Sequence, residues 1–596
     1  MPLPIEDYAL IGDSFTAALV GRDGSIDWLC MPRFDSPSIF GALLGAPDNG
    51  RWLLAPTDEN AHSSRRYDGD SFILITHWTT ESGEVEVLDF MPHGDHRADV
   101  IRRVRGIRGT VELEQELIMR FSYGTTVPWV RQLENEERPA MLAVAGPDAL
   151  IMRGPRLRPT DHAHRGTFTV SAGEIVDISL TWFASHKDTP DPLDVAERLQ
   201  HSRDWWDEWA TNCAHDGPYY DEVIRSLLVL RALTHEATGG IVAAATTSLP
   251  EQFGGQRNWD YRYVWLRDAS LTLSVLLAHG FHDEVQRWRD WLLRAVAGDP
   301  ADVQIMYGLS GERELVEREL TSLPGYQGAK PVRVGNAAAD QFQADVIGEV
   351  MIALQEAREA GIKESKDSWA VQRALIGHLE KVWRDPDQGI WEIRGQARSF
   401  THSHAMVWAA FDRAIAGIEQ FGLPGPLEQW RAARDEVRDL IDTRGVDPAK
   451  QRFTQYFGGT GLDASLLQLP QVGFCAADDP RMLNTVAGME DELLEGGLLL
   501  RYRTEDGVDG LPAGEFPFLA CSFWLAEQYA RSDRVEDART MMDRLVGFAN
   551  DVGLLSEEYD PHQNRQAGNT PQALTHLALV RAADAIADAR KRSSGN

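Results

Sequence analysis

The chain has 596 residues, 43% of them apolar and 25% charged, with a formal net charge of −32. That size and balance exclude a disordered chain and a single small core, and imply about two to four folded domains. Such acidity excludes a phosphate-backbone partner, which needs clustered Lys and Arg, and argues against an anionic membrane surface or acidic polymer, leaving a neutral ligand.

In chain order, the opening Met1-Pro2-Leu3-Pro4-Ile5-Glu6-Asp7 lacks a basic leader and an apolar core. No later run reaches the roughly 18 apolar residues of a spanning helix, so a cytoplasmic protein is expected. Residues 15–20 and 26–31 are apolar runs joined by Gly21-Arg22-Asp23-Gly24-Ser25, as a hairpin would be. Residues 71–80 are rich in strand formers, and residues 85–90 and 167–170 alternate with period two. Short strands at this spacing predict an antiparallel β-sandwich over residues 1–190. Residues 191–209 then take helical spacing and carry Trp205, Trp206 and Trp209, predicting a linker helix within 191–218. Cys30, Cys213, Cys475 and Cys521 lie far apart, a pattern that predicts buried free thiols and neither a disulfide framework nor a zinc site.

From Tyr220 onward the period is 3.6. Helices are predicted near 220–238, 267–280, 282–298, 338–360, 364–384, 402–420, 426–443, 479–494, 517–531, 534–549 and 571–590, with a short one at 462–468. Helix pairs repeated in this way form either an open solenoid or a closed toroid of hairpins, here over residues 219–590. The chemically informative residues fall in the long loops between them, which a closed barrel gathers at one end.

Two such loops each carry a carboxylate beside aromatics: Gly389-Ile390-Trp391-Glu392-Ile393-Arg394-Gly395 and Leu554-Leu555-Ser556-Glu557-Glu558-Tyr559-Asp560-Pro561. A pair of carboxylates is the minimum equipment for splitting a glycosidic bond, one protonating the leaving oxygen and the other activating water. The plainer reading makes each a solvated surface group. A third loop, Arg257-Asn258-Trp259-Asp260-Tyr261-Arg262-Tyr263-Val264-Trp265-Leu266-Arg267-Asp268, mixes rings with both charge signs. Rings stack on the apolar face of a sugar while Arg, Asp and Asn bond its hydroxyls; the plainer reading has Asp268 cap a helix with Arg267 as its ion pair.

The chain resembles glycoside hydrolase family fifteen, the group of glucoamylases, glucodextranases and bacterial trehalases. The resemblance is carried by GSIDWLCMPRFDSPSIFGALL, TTSLPEQFGGQRNWDYRYVWLRDAS, VRVGNAAADQFQADVIGEV, DQGIWEIRGQARSFTHS, LDASLLQLPQVGF, LLLRYRTEDGVDGLPAGE, CSFWLAEQYAR and LLSEEYDPHQNRQAGNTPQALTHLAL, in family order from end to end. It implies an N-terminal antiparallel β-sandwich followed by an (α/α)6 barrel. It further implies Glu392 as general acid, Glu557 as general base, Tyr261, Trp265, Arg267 and Asp268 on the first glucose, and Arg501 on the leaving side. Trp391 would help keep the acid protonated, and Glu558 is a rival for the base. Ile393 replaces a second Glu of fungal glucoamylases, and Val334 replaces an expected aromatic, both toward the leaving side.

The expected activity is therefore inverting, exo-acting hydrolysis of short α-glucosides, isomaltose or maltose first and trehalose second, with no metal or organic cofactor. The partner is a small neutral sugar, with no nucleic acid or membrane, and room is left for a homo-oligomer. A disaccharide phosphorylase, a non-catalytic carbohydrate-binding protein and a helical interaction scaffold are the readings from other classes.

Overall fold

The structure, a computed structural model, describes residues 1–94, 97–133, 138–215 and 217–594, without the side chains of residues 593 and 594. Residues 8–184 form antiparallel strands organised around one long strand, Ala98–Ile118. Its first half pairs with Gly83–Phe90 and Ile175–Ala184, and its second half with Arg51–Pro56 and Ala163–Ser171. The change of partners falls at Gly109, whose φ is +65° and where a Cβ would stand 2.1 Å from the Ser82 carbonyl oxygen. One strand thus serves both layers, and their inner faces share one core containing Trp28, Trp52, Leu74, Val85, Val87, Val104, Leu113 and Leu117. Adjacent positions point the other way, as the pleat requires: Ile73, Ile75, Leu88, Phe90 and Ile101 are covered by Val195 and Leu199. A sheet covered on both faces explains why residues 71–80 read as nearly continuous strand formers.

Those covering residues belong to α1 (Val195–Thr211), whose first amides are capped by the Asp194 carboxylate. The helix falls within the stretch 191–209 read as helical, starting four residues later than expected because Asp194 supplies the cap. The helical part follows as α2 (Tyr220–Ala232), α3 (Leu266–Ala278), α4 (His282–Ala295), α5 (Asp345–Glu359), α6 (Lys366–Val382) and α7 (Thr401–Phe421). It continues with α8 (Leu427–Arg444), the short 3-10 helix Ala464–Gln468, α9 (Pro480–Glu492), α10 (Leu519–Arg531), α11 (Val535–Val546) and α12 (Ala573–Ser594). Alternate members pack in a ring, α3 on α5, α5 on α7, then Ala464–Gln468, α10 and α12, which returns to α3. The other six lie outside them, so the helices form a closed toroid of six hairpins and not a solenoid.

Position in the ring decides composition. Every residue of α10 from Leu519 to Ala530 is buried, whereas α8, outside, buries only Trp430, Val437 and Ile441. One predicted helix is interrupted: residues 338–360 divide into the 3-10 turn Ala337–Asp340 and α5. The intervening residues are claimed by the loop before α7, Gln341 donating its amide to the Glu392 and Ile393 carbonyls, and the Ala344 N–H bonding Asp387.

The interior of the toroid buries carboxylates, and burial pushes Glu349 and Asp387 up to about 8 and Asp345 to about 6. Folding therefore binds protons, so this contribution to stability is complete below the ordinary carboxylate range and lost as pH rises through the raised values. Glu349→Gln should retain its melting temperature better than wild type between about pH 6 and about pH 9. Parallel melting curves over that range would contradict the assignment.

Candidate active site

The pocket lies where the loops preceding the inner helices meet, and aromatic and charged side chains line it. Glu392 stands in its wall on a tight turn, with φ +56° and its N–H bonded to the Gly389 carbonyl at 3.0 Å. A non-glycine residue in the left-handed region is held there by its surroundings, a feature that clusters at functional sites. Its Oε1 accepts from Trp265 Nε1 at 2.6 Å and lies 3.7 Å from Arg267 Nη1. Burial raises the Glu392 pKa, opposed by Arg267 and the Trp265 hydrogen bond.

Trp265 and Arg267 are placed by the start of α3. Arg267 grips Asp268 Oδ2 with Nε and Nη2 at 3.0 and 2.8 Å and donates Nη1 to the Ile390 carbonyl at 2.7 Å. One guanidinium thus joins the start of α3 to the Glu392 loop. Asp268 does not cap the helix; Trp265 occupies the N-cap position without a side-chain cap, and Asp268 is buried in the pocket wall. Trp391 also lines the pocket, its indole N–H fixed on Asp463 at 2.8 Å.

Tyr261, its ring 5.5 Å from that of Trp265, lines the pocket and donates its hydroxyl to Glu557 Oε1 at 2.5 Å. Glu557 lies just behind that wall, with Oε2 3.4 Å from the Asn569 N–H. Gly568, at φ +74°, permits the approach, since a Cβ there would stand 2.6 Å from that of Glu557. Of the eight candidate residues, Glu557 is the one outside the wall itself.

Glu251, Glu557 and Glu558 are buried with carboxylate oxygens within 4.8 Å of one another. Burial first, then the charge of Glu251, pushes Glu557 up to about 8 and raises Glu558 further. Three charges so close cannot coexist, and the donors decide where the proton sits. Tyr261 serves Glu557 and Arg501 serves Glu251, at 2.7 Å, while both Glu558 oxygens lack a partner. Glu558 is accordingly the neutral member.

Around Arg501 the pocket wall is charged. Arg501 binds Glu515 and Glu251, while Arg257 binds Asp509 at 2.7 Å, and Tyr502 donates to the same Asp509 oxygen at 2.9 Å. Where an aromatic is expected at Val334, that side chain is buried in a strand, and Arg333 and Arg394 instead stand over Trp259, 4.4 and 4.8 Å from its ring centre. Glu251, Arg394 and Asp509 are pocket residues that sequence reasoning did not single out, and Arg257 entered it only as the start of the 257–268 stretch. The one signal for Glu251 was its place in TTSLPEQFGGQRNWD, just before the aromatic-rich stretch 257–268.

A β-domain followed by a six-hairpin toroid, with carboxylates at one mouth of the ring, has the architecture of a glycoside hydrolase. The chain belongs to Glycosyl hydrolases family 15, whose description matches residues 217–584, while residues 1–164 match Trehalase-like, N-terminal. It is 37% identical to a trehalase of Mycobacterium tuberculosis, over 97% of this chain and 89% of that protein. It is 33% identical to a trehalase of Thermoplasma acidophilum, over 96% of this chain and 98% of that one. Among solved structures, a bacterial glucoamylase complexed with acarbose superposes with a TM-score of 0.73 at 14% identity, covering 99% of this chain and 96% of that one, a likeness of fold. Among the described residues no helix is long and apolar enough to cross a membrane.

Proposed function

We propose that this chain is an inverting α,α-trehalase, splitting trehalose into two glucoses. The observation that carries the reading is its full-length similarity to proteins named trehalase, which reverses the order of preference drawn from the sequence. The charged wall on the leaving side supports it: a second, terminal glucose offers hydroxyls all round for Arg257, Arg394 and Asp509, and no chain has to pass beyond.

In this mechanism Glu392, whose proton burial helps to hold, gives it to the bridging oxygen as the C1–O bond breaks. Glu557 acts in its ionised form, which the Tyr261 hydroxyl and the charge of Arg501 favour against burial and Glu251, and takes a proton from the water that attacks C1 from the opposite face. Arg267 and Asp268 hold the hydroxyls of the glucose under attack, and Arg501 faces the departing one. We further assign residues 1–190, 191–218 and 219–590 to sandwich, linker and catalytic barrel, and place the enzyme in the cytoplasm, where its four free cysteines suit a reducing compartment.

Inversion has a distinct signature with this substrate. Both halves of trehalose are α-linked, so the attacked glucose emerges as β and the departing one as α. Proton NMR in the first minutes should show the two anomers in equal amounts. An initial product wholly in the α form would mean retention and remove the base role from Glu557.

A further inference from the structure

Three side chains remote from the pocket converge at the opposite end of α3. His215 lies in the segment joining α1 to α2, His279 caps the C-terminus of α3, and Asp584 is on α12. His279 Nδ1 lies 2.9 Å from the Val275 carbonyl, and His215 Nε2 lies 3.2 Å from the Pro218 carbonyl. A carbonyl only accepts, so each of these nitrogens carries the proton and donates it. In the neutral rings the other nitrogens, His279 Nε2 and His215 Nδ1, are bare. Both bare nitrogens face the same atom, Asp584 Oδ1, each at 3.5 Å.

Three lone-pair donors therefore point at one another. The spacing is too long for charge-assisted hydrogen bonds, which run about 2.7–2.9 Å. The two 3.5 Å edges fit a cation held between the three, because a tetrahedron with metal–ligand bonds of about 2.0–2.1 Å has edges of roughly 3.4 Å, and all three donor atoms lie within 4.8 Å of one another. Ligating histidines characteristically donate their second nitrogen to a carbonyl, as both do here. The imidazoles are enclosed, with side chains 4% and 3% exposed, while Asp584 at 34% leaves a way in from solvent.

We propose that His215, His279 and Asp584 form a binding site for a divalent transition ion of the zinc class, with water completing its coordination. Two imidazoles and one carboxylate suit zinc over calcium or magnesium, which take oxygen ligands. The site ties the segment after α1 to α3 and α12, the two helices through which the ring closes, and the Ala214 N–H bond to the His279 carbonyl at 3.1 Å lies alongside. Arg267 and His279 are twelve residues apart along α3, about 18 Å, so the ion serves stability and not the sugar chemistry. The ligands are scattered over the sequence, which is why spacing gives no hint of them.

The test uses the full-length protein, stripped with a chelator and titrated with Zn2+ and with Co2+ by calorimetry and absorption spectroscopy. Wild type should bind one ion per chain, show the visible bands of four-coordinate Co2+, and melt at higher temperature with Zn2+ than without. Asp584→Asn and His215→Gln should each weaken binding by about 100-fold or more. They should also lose the Zn2+-dependent rise in melting temperature while keeping the metal-free sugar-hydrolysing rate within about twofold. Absence of saturable binding to wild type, or equal binding by both variants, would overturn the proposal.

Discussion

Glu392→Gln should lose about 10²–10⁴-fold in kcat while folding normally. The amide keeps the shape of the acid, and its oxygen can still accept from Trp265, which the carboxylate does at 2.6 Å. It has no acidic proton for the bridging oxygen. Glu557→Gln should lose as much, because an amide facing Tyr261 cannot take a proton from water. Glu558→Gln is the control: a side chain that is already neutral and has no hydrogen-bond donor is replaced by a neutral one of equal size. It should keep activity within about threefold, an effect of ordinary mutational size. Initial rates with circular dichroism on the same samples decide the matter. Near-normal kcat in Glu392→Gln would sink the acid assignment, and loss in Glu558→Gln without loss in Glu557→Gln would move the base by one residue.

Arg267→Met should be the most damaging change outside the acid and base. It leaves Asp268 buried without its partner, a defect that costs about 3–5 kcal/mol in stability. It also removes the anchor on the Ile390 carbonyl, two residues before the acid. A fall of about 10²-fold or more in kcat/KM, together with a lower melting temperature, is expected, since small displacements of a catalytic group are that costly. Arg267→Lys should recover little, because an ammonium cannot hold Asp268 through two nitrogens and reach the Ile390 carbonyl at once. Activity of Arg267→Met within tenfold of wild type would show that the guanidinium positions neither sugar nor acid.

What the sequence discloses follows from how local each signal is. The outer helices bury one face, so α4 and α11 show their period directly, and their predicted limits lie within a few residues of those observed. The break between Asp340 and Asp345 depends on Gln341 reaching a loop some fifty residues away, which no local pattern carries. The strand Ala98–Ile118 is masked for a related reason: it carries Arg102, Arg103, Arg105 and Arg108, each answered by an acid on a neighbouring strand. Those acids come from sequence positions that local alternation does not connect. In the site, Tyr261, Trp265, Arg267 and Asp268 are legible because they share one stretch. Arg257 shares that stretch with Glu251 a few residues before it, but the wall they form with Arg394 and Asp509 is assembled from three separate loops and only the fold reveals it.

The central claim is that the pocket accepts one glucose and one further glucose joined through its own C1. It is tested most directly by kcat/KM for trehalose, isomaltose, maltose and α-1,4 oligomers up to about seven units, on one preparation. A site built to hydrogen-bond particular hydroxyls rejects analogues that leave those groups unpaired, so trehalose should lead by about 10²-fold or more. Values for the oligomers should stay flat or fall with length, because the charged wall leaves no shelf for a third sugar. Maltose or isomaltose in the lead, or a steady rise from two units to seven, would contradict the account.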